Sequence, residues 1–306
     1  MIGPRTLPLA PRMVPLGGVR AMDVRRTLPD RRLPTIGAWC FLDRFGPDVV
    51  RMRVEPHPHI GLQTVTWPLV GEIRHRDSVG SDVTLRRGQL NLMTAGEGIS
   101  HSEYSVPEDA EPLDALQLWV VLPESARHGA AGFEQHTSLP GLTLAADAGT
   151  DATGIVVLGE FAGVRSPATA YTPIVGAEIS VPAGSRVPLP LDAAWEHAVL
   201  LVEGDATVEG ETVEVGSMLY LGDSRTSTAV TSAGGALLFV LGGEPFEEDL
   251  VMWWNFAART HDEIVAARDD WEAGADRFGR VVTHGDERIP APEMPHVRLA
   301  PRRRRI

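Results

Sequence analysis

Residues 70–93 read VGEIRHRDSVGSDVTLRRGQLNLM, and residues 203–221 read EGDATVEGETVEVGSMLYL. Both stretches run strand, turn, strand, Gly turn, strand, the second with a shorter loop. An offset of about 130 residues is far longer than a solenoid repeat and points to a duplicated domain. The same pattern continues outward, with 31 Gly and 24 Pro punctuating short alternating apolar runs, as in all-β sandwiches and barrels. The polar interval DAGTDATG (147–154) has no periodicity and reads as the linker between halves. The expectation is an all-β chain of two tandem barrels, over residues 1–146 and 155–250, followed by a C-terminal region 251–306. In that region THDEIVAARDDWEAG (260–274) predicts one helix that packs back on the barrels: Thr260 caps it, Glu263 closes a capping box and Gly274 stops it.

With 306 residues the chain has enough length to bury a core in each of two domains. The single Cys40 excludes an intrachain disulfide, and the opening MIGPRTLPLAPRMVP has no apolar signal region, so a reducing, cytoplasmic setting is expected. No apolar run approaches the roughly 18 residues of a membrane-spanning helix. Net charge is −13, and all 28 basic residues are Arg. Such an acidic balance repels phosphate backbones and argues against direct nucleic-acid binding. The one basic cluster, PRRRRI (301–306), reads as a solvated terminus.

The chemistry gathers in the first half. HPHIGLQTVTW (57–67) sets His57 and His59 two positions apart at the head of an alternating run. Residues i and i+2 of a strand share a face, so the two imidazoles point the same way. Alone, the pair reads equally as solvated side chains beside a Pro-rich turn. Partners elsewhere decide it. TAGEGISHSEYS (94–105) follows a Gly turn with Ile99, His101 and Glu103 on one face. Three imidazoles and one carboxylate from two neighbouring strands make a ligand set for a single divalent transition metal. Without a thiolate, the set suits Fe, Mn, Co, Ni, Cu or catalytic Zn rather than a closed structural Zn site. Four protein ligands on an octahedral ion leave two positions open, as catalysis requires.

His128, His136, His197, His261, His284 and His296 stand singly and read as surface or hydrogen-bonded residues. In EIRHRDS, His75 shares strand parity with Asp77; an ordinary surface hydrogen bond is expected, the alternative being a pair that orients a ligand. The second half offers only His197 near a barrel strand, so its barrel is expected to lack a metal site. Leu92, Met93 and Trp67 are the sequence-proximal candidates to line a cavity beside the metal.

At these residues the chain resembles the pirin family, a branch of the cupin superfamily. VRRTLPDRRLPTIGAWCFLDRFGP (24–47), HPHIGLQTVTW, VGEIRHRDSVG, TAGEGISHSE and LQLWVVLPES (116–125) follow in family order, and LGGEPFEEDL (241–250) extends the likeness more loosely. The resemblance implies two cupin barrels of jelly-roll type, with iron or another divalent metal in the first. The family's ligands fall on His57, His59, His101 and Glu103, all present. It departs from the family's H-P-H-R-G-F-E-T-V-T at Ile60, Leu62 and Gln63, exchanging an Arg, a Phe and a Glu. That loss of a cation and an anion keeps the ligands and alters their surroundings.

The resemblance implies a metal-dependent dioxygenase of quercetinase type, acting on a flavonol or another planar phenolic or enolic substrate. Fe(II) is the expected metal, and Glu103 the expected general base. The same family implies an alternative, a non-enzymatic metal-binding regulator of a protein partner. A Zn hydrolase fits less well, because all four candidates converge and leave no separate acid or base.

Overall fold

The computed structural model describes residues 3–15, 22–106 and 109–306. The alternating runs form β-strands almost throughout, and His261–Ala273 forms an α-helix. Among the described residues no helix is long and apolar enough to cross a membrane. Two compact units result, each assembled from separate segments: Met1–Arg12, Arg25–Leu42 and His136–Phe246 in one, Met13–Val24, Asp43–Gln135 and Glu247–Ile306 in the other.

The first of these units is an antiparallel sheet in the order Pro4–Leu9, Met218–Gly222, Glu196–Gly204, Ala236–Gly243, Ile174–Val181, Ala152–Phe161, Gly141–Leu144, together with a four-stranded sheet. The smaller sheet runs Ser185–Pro190, Ser227–Ser232, Ala206–Val208, Glu211–Val213. Its inward positions are aliphatic: Val187, Leu189, Ala206, Val208 and Val230 join Leu201 and Val240 in one buried cluster. The buried Glu196 side chain accepts Gly37 N–H at 2.8 Å and Tyr220 OH at 2.9 Å, so both of its oxygens are paired.

The second unit repeats the smaller sheet's order. Its strands Arg53–His59, Ile99–Ser105, Ile73–Asp77 and Asp82–Leu85 are hydrogen-bonded in that sequence. The larger sheet runs Gly132–His136, Leu90–Thr94, Leu62–Val70, Glu111–Val121 and then Trp39–Val50, whose residues from Asp43 onward belong to this unit. In the small sheet of the first unit, Val187 faces Val230; between the corresponding two strands here, His57 faces His101. One sheet plan therefore carries an apolar interior in one copy and ring nitrogens in the other.

The helix forms where its signals are local. Thr260 Oγ1 accepts Glu263 N–H at 3.2 Å, and Gly274 closes the helix at φ 70°, a left-handed conformation that costs glycine little. The Glu263 carboxylate accepts Arg259 N–H at 2.8 Å and the Arg127 guanidinium at 3.0 Å. Ile264, Ala267 and Trp271 form the buried face, packed with Ile60, Val251, Phe256 and Phe278. Burying Ile264 contributes about 1.5–3 kcal/mol. The helix thus packs back on its own unit, and Ile60, the exchange from the family's Arg, lies buried in this apolar cluster. Gln63 is fully buried and donates to Thr94 Oγ1 at 3.0 Å.

Candidate metal centre

The turn before the second motif is built on glycine. Gly96 has φ +51°, and a Cβ there would lie 2.0 Å from Gly129 O, so only glycine lets the chain turn against that carbonyl. Gly61 N–H donates to Gly96 O at 2.9 Å and ties this turn to the end of the HPH strand. The strands then pair His57 with His101 and Glu103 with Val54, a register shift that puts one extra residue on the HPH strand. Such a bulge re-aims side chains locally. Ile73–Asp77 pairs on the other edge without a shift, setting Asp77 opposite His101 and His75 opposite Glu103.

One ligand atom each of His57, His59 and His101 lies within 4.8 Å of the others. His57 Nδ1 lies 2.9 Å from Glu55 O, and His59 Nδ1 lies 3.1 Å from Asn255 O. A carbonyl only accepts, so both Nδ1 atoms carry hydrogen and both Nε2 atoms present lone pairs. His59 Nε2 and His101 Nε2 are 3.1 Å apart. Converging imidazole lone pairs with no thiolate fit a divalent transition metal. The fourth expected ligand, Glu103, belongs to a second group with His75 and His101, whose ligand atoms also lie within 4.8 Å of one another.

Burial dominates the electrostatics. It lowers His57 to about 4, against the Glu55 hydrogen bond and with the help of His75. His59 and His101 are driven well below the usual imidazole range by burial and by neighbouring imidazoles. The rings are therefore neutral at pH 7, the form a metal needs. Burial raises the Glu103 carboxyl, opposed by His75 and by a hydrogen bond from Thr66 Oγ1 at 3.0 Å. Thr66 Oγ1 also lies 3.1 Å from Gln117 Oε1, and one hydroxyl hydrogen cannot serve two acceptors. With the Gln117 amide turned over, its nitrogen donates to Thr66 while Thr66 donates to Glu103.

His75 differs from the expected surface residue. It is 1 % exposed, its Nε2 lies 2.9 Å from Asp77 Oδ2, and its ring stacks on Phe133 with centroids 4.5 Å apart. The Trp119 ring meets His59 edge-on at 5.2 Å. Of the expected cavity residues, Met93 packs with Ile99 and Phe133, and Trp67 and Leu92 are fully buried. Thr66, Gln117, Trp119 and Asn255 escaped the sequence reading. Thr66 and Gln117 face each other across paired strands, a register that no local spacing encodes.

Comparison with known proteins matches the family model described as Pirin over residues 20–120, and that of the Pirin C-terminal cupin domain over residues 176–279. A Pseudomonas aeruginosa protein named "putative quercetin 2,3-dioxygenase" is 40% identical over 288 residues, covering 93% of this chain and 89% of that protein. This chain belongs to the pirin family. A pirin-like protein of Caulobacter vibrioides is 32% identical over 279 residues, 89% of this chain and 94% of its own. The crystal structure of a quercetin 2,3-dioxygenase from Acinetobacter baumannii superposes with a TM-score of 0.88 at 35% identity, covering 96% of this chain and 97% of that one. The pirin bicupin architecture, two barrels and a C-terminal helix, is therefore that of this chain.

Proposed function

We propose that this pirin is a metal-dependent dioxygenase of quercetinase type, holding one divalent ion, Fe(II), with His57, His59, His101 and Glu103 and opening a flavonol-like or other planar phenolic or enolic substrate. The observation that carries the reading is the buried cluster of imidazole lone pairs beside a buried carboxyl whose pKa is raised. A base works best when its pKa approaches the working pH, and burial moves Glu103 in that direction. When bound, the ion acidifies a substrate hydroxyl and supports reaction with dioxygen. Glu103 takes the hydroxyl proton on its carboxylate, and Thr66 holds that carboxylate in place through its hydroxyl. Trp119 and Phe133 pack against His59 and His75 and hold water off those rings. The names carried by the Pseudomonas and Acinetobacter relatives support the same class of reaction.

Glu103→Gln tests the assignment. An amide oxygen can still bind a metal but cannot accept a proton at neutral pH. The variant is expected to keep a substantial share of its metal and to lose about a hundredfold or more of flavonol turnover per bound ion. Oxygen-dependent loss of flavonol absorbance is the measurement. Wild-type turnover per ion in the variant would remove Glu103 as the base, and absence of oxygen-dependent turnover in the metal-loaded wild type would favour a regulatory, partner-binding role.

A further inference from the structure

His75 and Asp77 are not needed to count the ligands, yet both are buried to 1 % exposure directly behind His101. Asp77 Oδ1 accepts Val79 N–H at 3.0 Å and Ser81 N–H at 2.9 Å, which fixes the carboxylate in its turn. Its other oxygen, Oδ2, faces His75 Nε2 at 2.9 Å, and His75 Nδ1 faces His101 Nδ1 at 3.4 Å. His101 Nε2 then faces His59 Nε2.

We propose that Asp77 and His75 form a hydrogen-bond relay that sets the tautomer of His101, so that His101 turns an Nε2 lone pair, and never an Nε2 hydrogen, toward the metal position. Each step is fixed by donor and acceptor inventory. A carboxylate only accepts, so His75 carries its hydrogen on Nε2. An imidazole whose one hydrogen sits on Nε2 has a lone pair on Nδ1, which accepts the hydrogen of His101 Nδ1. His101 is left with a bare Nε2. His59 also presents a bare Nε2, because its Nδ1 hydrogen is committed to Asn255 O. Two lone pairs 3.1 Å apart repel unless a cation lies between them, so the relay prepares the cluster for an ion at some cost to the empty site. The second group of candidate ligands, His75 with His101 and Glu103, is by this account no separate site: both nitrogens of His75 are engaged in the relay. His75 and Asp77 are positioning residues.

This inference rests on the metal reading of the cluster, and the test separates the two. Asp77→Asn is the decisive variant. Its amide oxygen keeps the Val79 and Ser81 hydrogen bonds, which places the amide nitrogen toward His75 Nε2 as a donor. His75 must then carry its hydrogen on Nδ1, and His101 is pushed to the Nε2–H form. Full-length protein, stripped of metal and titrated with Co(II) alone, should bind 10–100-fold more weakly in this variant, the scale for losing a residue that orients a metal-bound histidine. The polarity control is His75→Gln, whose amide can donate to Asp77 and accept from His101; it should stay within about threefold of wild type, while His75→Leu falls with Asp77→Asn.

A second readout needs no metal. In ¹⁵N-resolved spectra of metal-free wild type, His101 should carry hydrogen on Nδ1, and in Asp77→Asn on Nε2. Equal Co(II) affinity of wild type and Asp77→Asn overturns the relay, as does a wild-type His101 protonated at Nε2. A wild type that takes up no Co(II) overturns the metal reading instead, and the spectra still decide the relay. If Asp77→Asn fails to fold, the wild-type spectrum and the His75 pair decide it.

Discussion

Replacing His57 with valine puts into this small sheet a residue type that the other unit's small sheet buries at Val187, opposite Val230. The effect on the metal-free protein is calculable. Burial lowers His57 from 6.5 to about 4, so between those values the unfolded chain binds a proton that the folded chain largely refuses. A lowered imidazole pKa means that stability is intact above pH 6.5 and is lost as pH falls toward 4. At about 1.4 kcal/mol per unit, His57 alone costs roughly 2.5 kcal/mol on going from about pH 7.5 to about pH 4.5. Valine titrates nowhere, so His57→Val should lose roughly that much less over the same interval. The bond to Glu55 O is given up, but Glu55 is half-buried and water can replace it. Urea unfolding of chelator-stripped wild type and variant at both pH values is the assay. Equal losses in the two proteins would mean that His57 is readily protonated in the folded state, and the account of a dry, neutral cluster would fail.

Thr66→Val removes the hydroxyl that steadies the Glu103 carboxylate. A hydrogen bond to a charged group contributes about 1.5–3 kcal/mol, so the acid limb of flavonol turnover per bound ion should move up by about one to two pH units; an unmoved limb would detach Thr66 from the chemistry. Arg44→Met strands Asp114, which is buried and receives Arg44 Nε at 2.8 Å and Nη2 at 2.6 Å. Urea unfolding should report a loss of about 3–5 kcal/mol, largely recovered when Asp114→Leu is added; a loss below about 1 kcal/mol would show that water reaches the carboxylate.

What could be read before folding was whatever the chain encodes locally. Thr260 and Gly274 act within one helical turn, and the helix forms between them. The i, i+2 spacing of His57 with His59 and of His101 with Glu103 is a property of any strand, and it identified every member of the two clusters except His75. The relation between strands was not encoded in this way. The bulge that sets His101 against His57 but Glu103 against Val54 depends on pairing, as does the position of His75 opposite Glu103. His75 therefore read as a surface residue, though it is buried. Asn255 lies 196 residues from the His59 it orients, and Leu7 pairs with Tyr220 across a still longer stretch of chain. Neither contact leaves a mark at either end of the sequence that makes it.

The interleaving of the two units sets an order of completion during synthesis. Phe246 ends the last segment of the aliphatic-cored unit, whereas the histidine-bearing unit still awaits Glu247 onward. A ribosome has thus made all four candidate donors, and everything the other barrel requires, before it makes the Asn255 carbonyl that turns the His59 ring. Units fold as their last pieces emerge, so the aliphatic-cored unit can close first, with the strands that carry the candidate donors waiting for the rest of their own unit. A chain stopped just short of Asn255 would keep every residue of the motifs and still lack a part of the site.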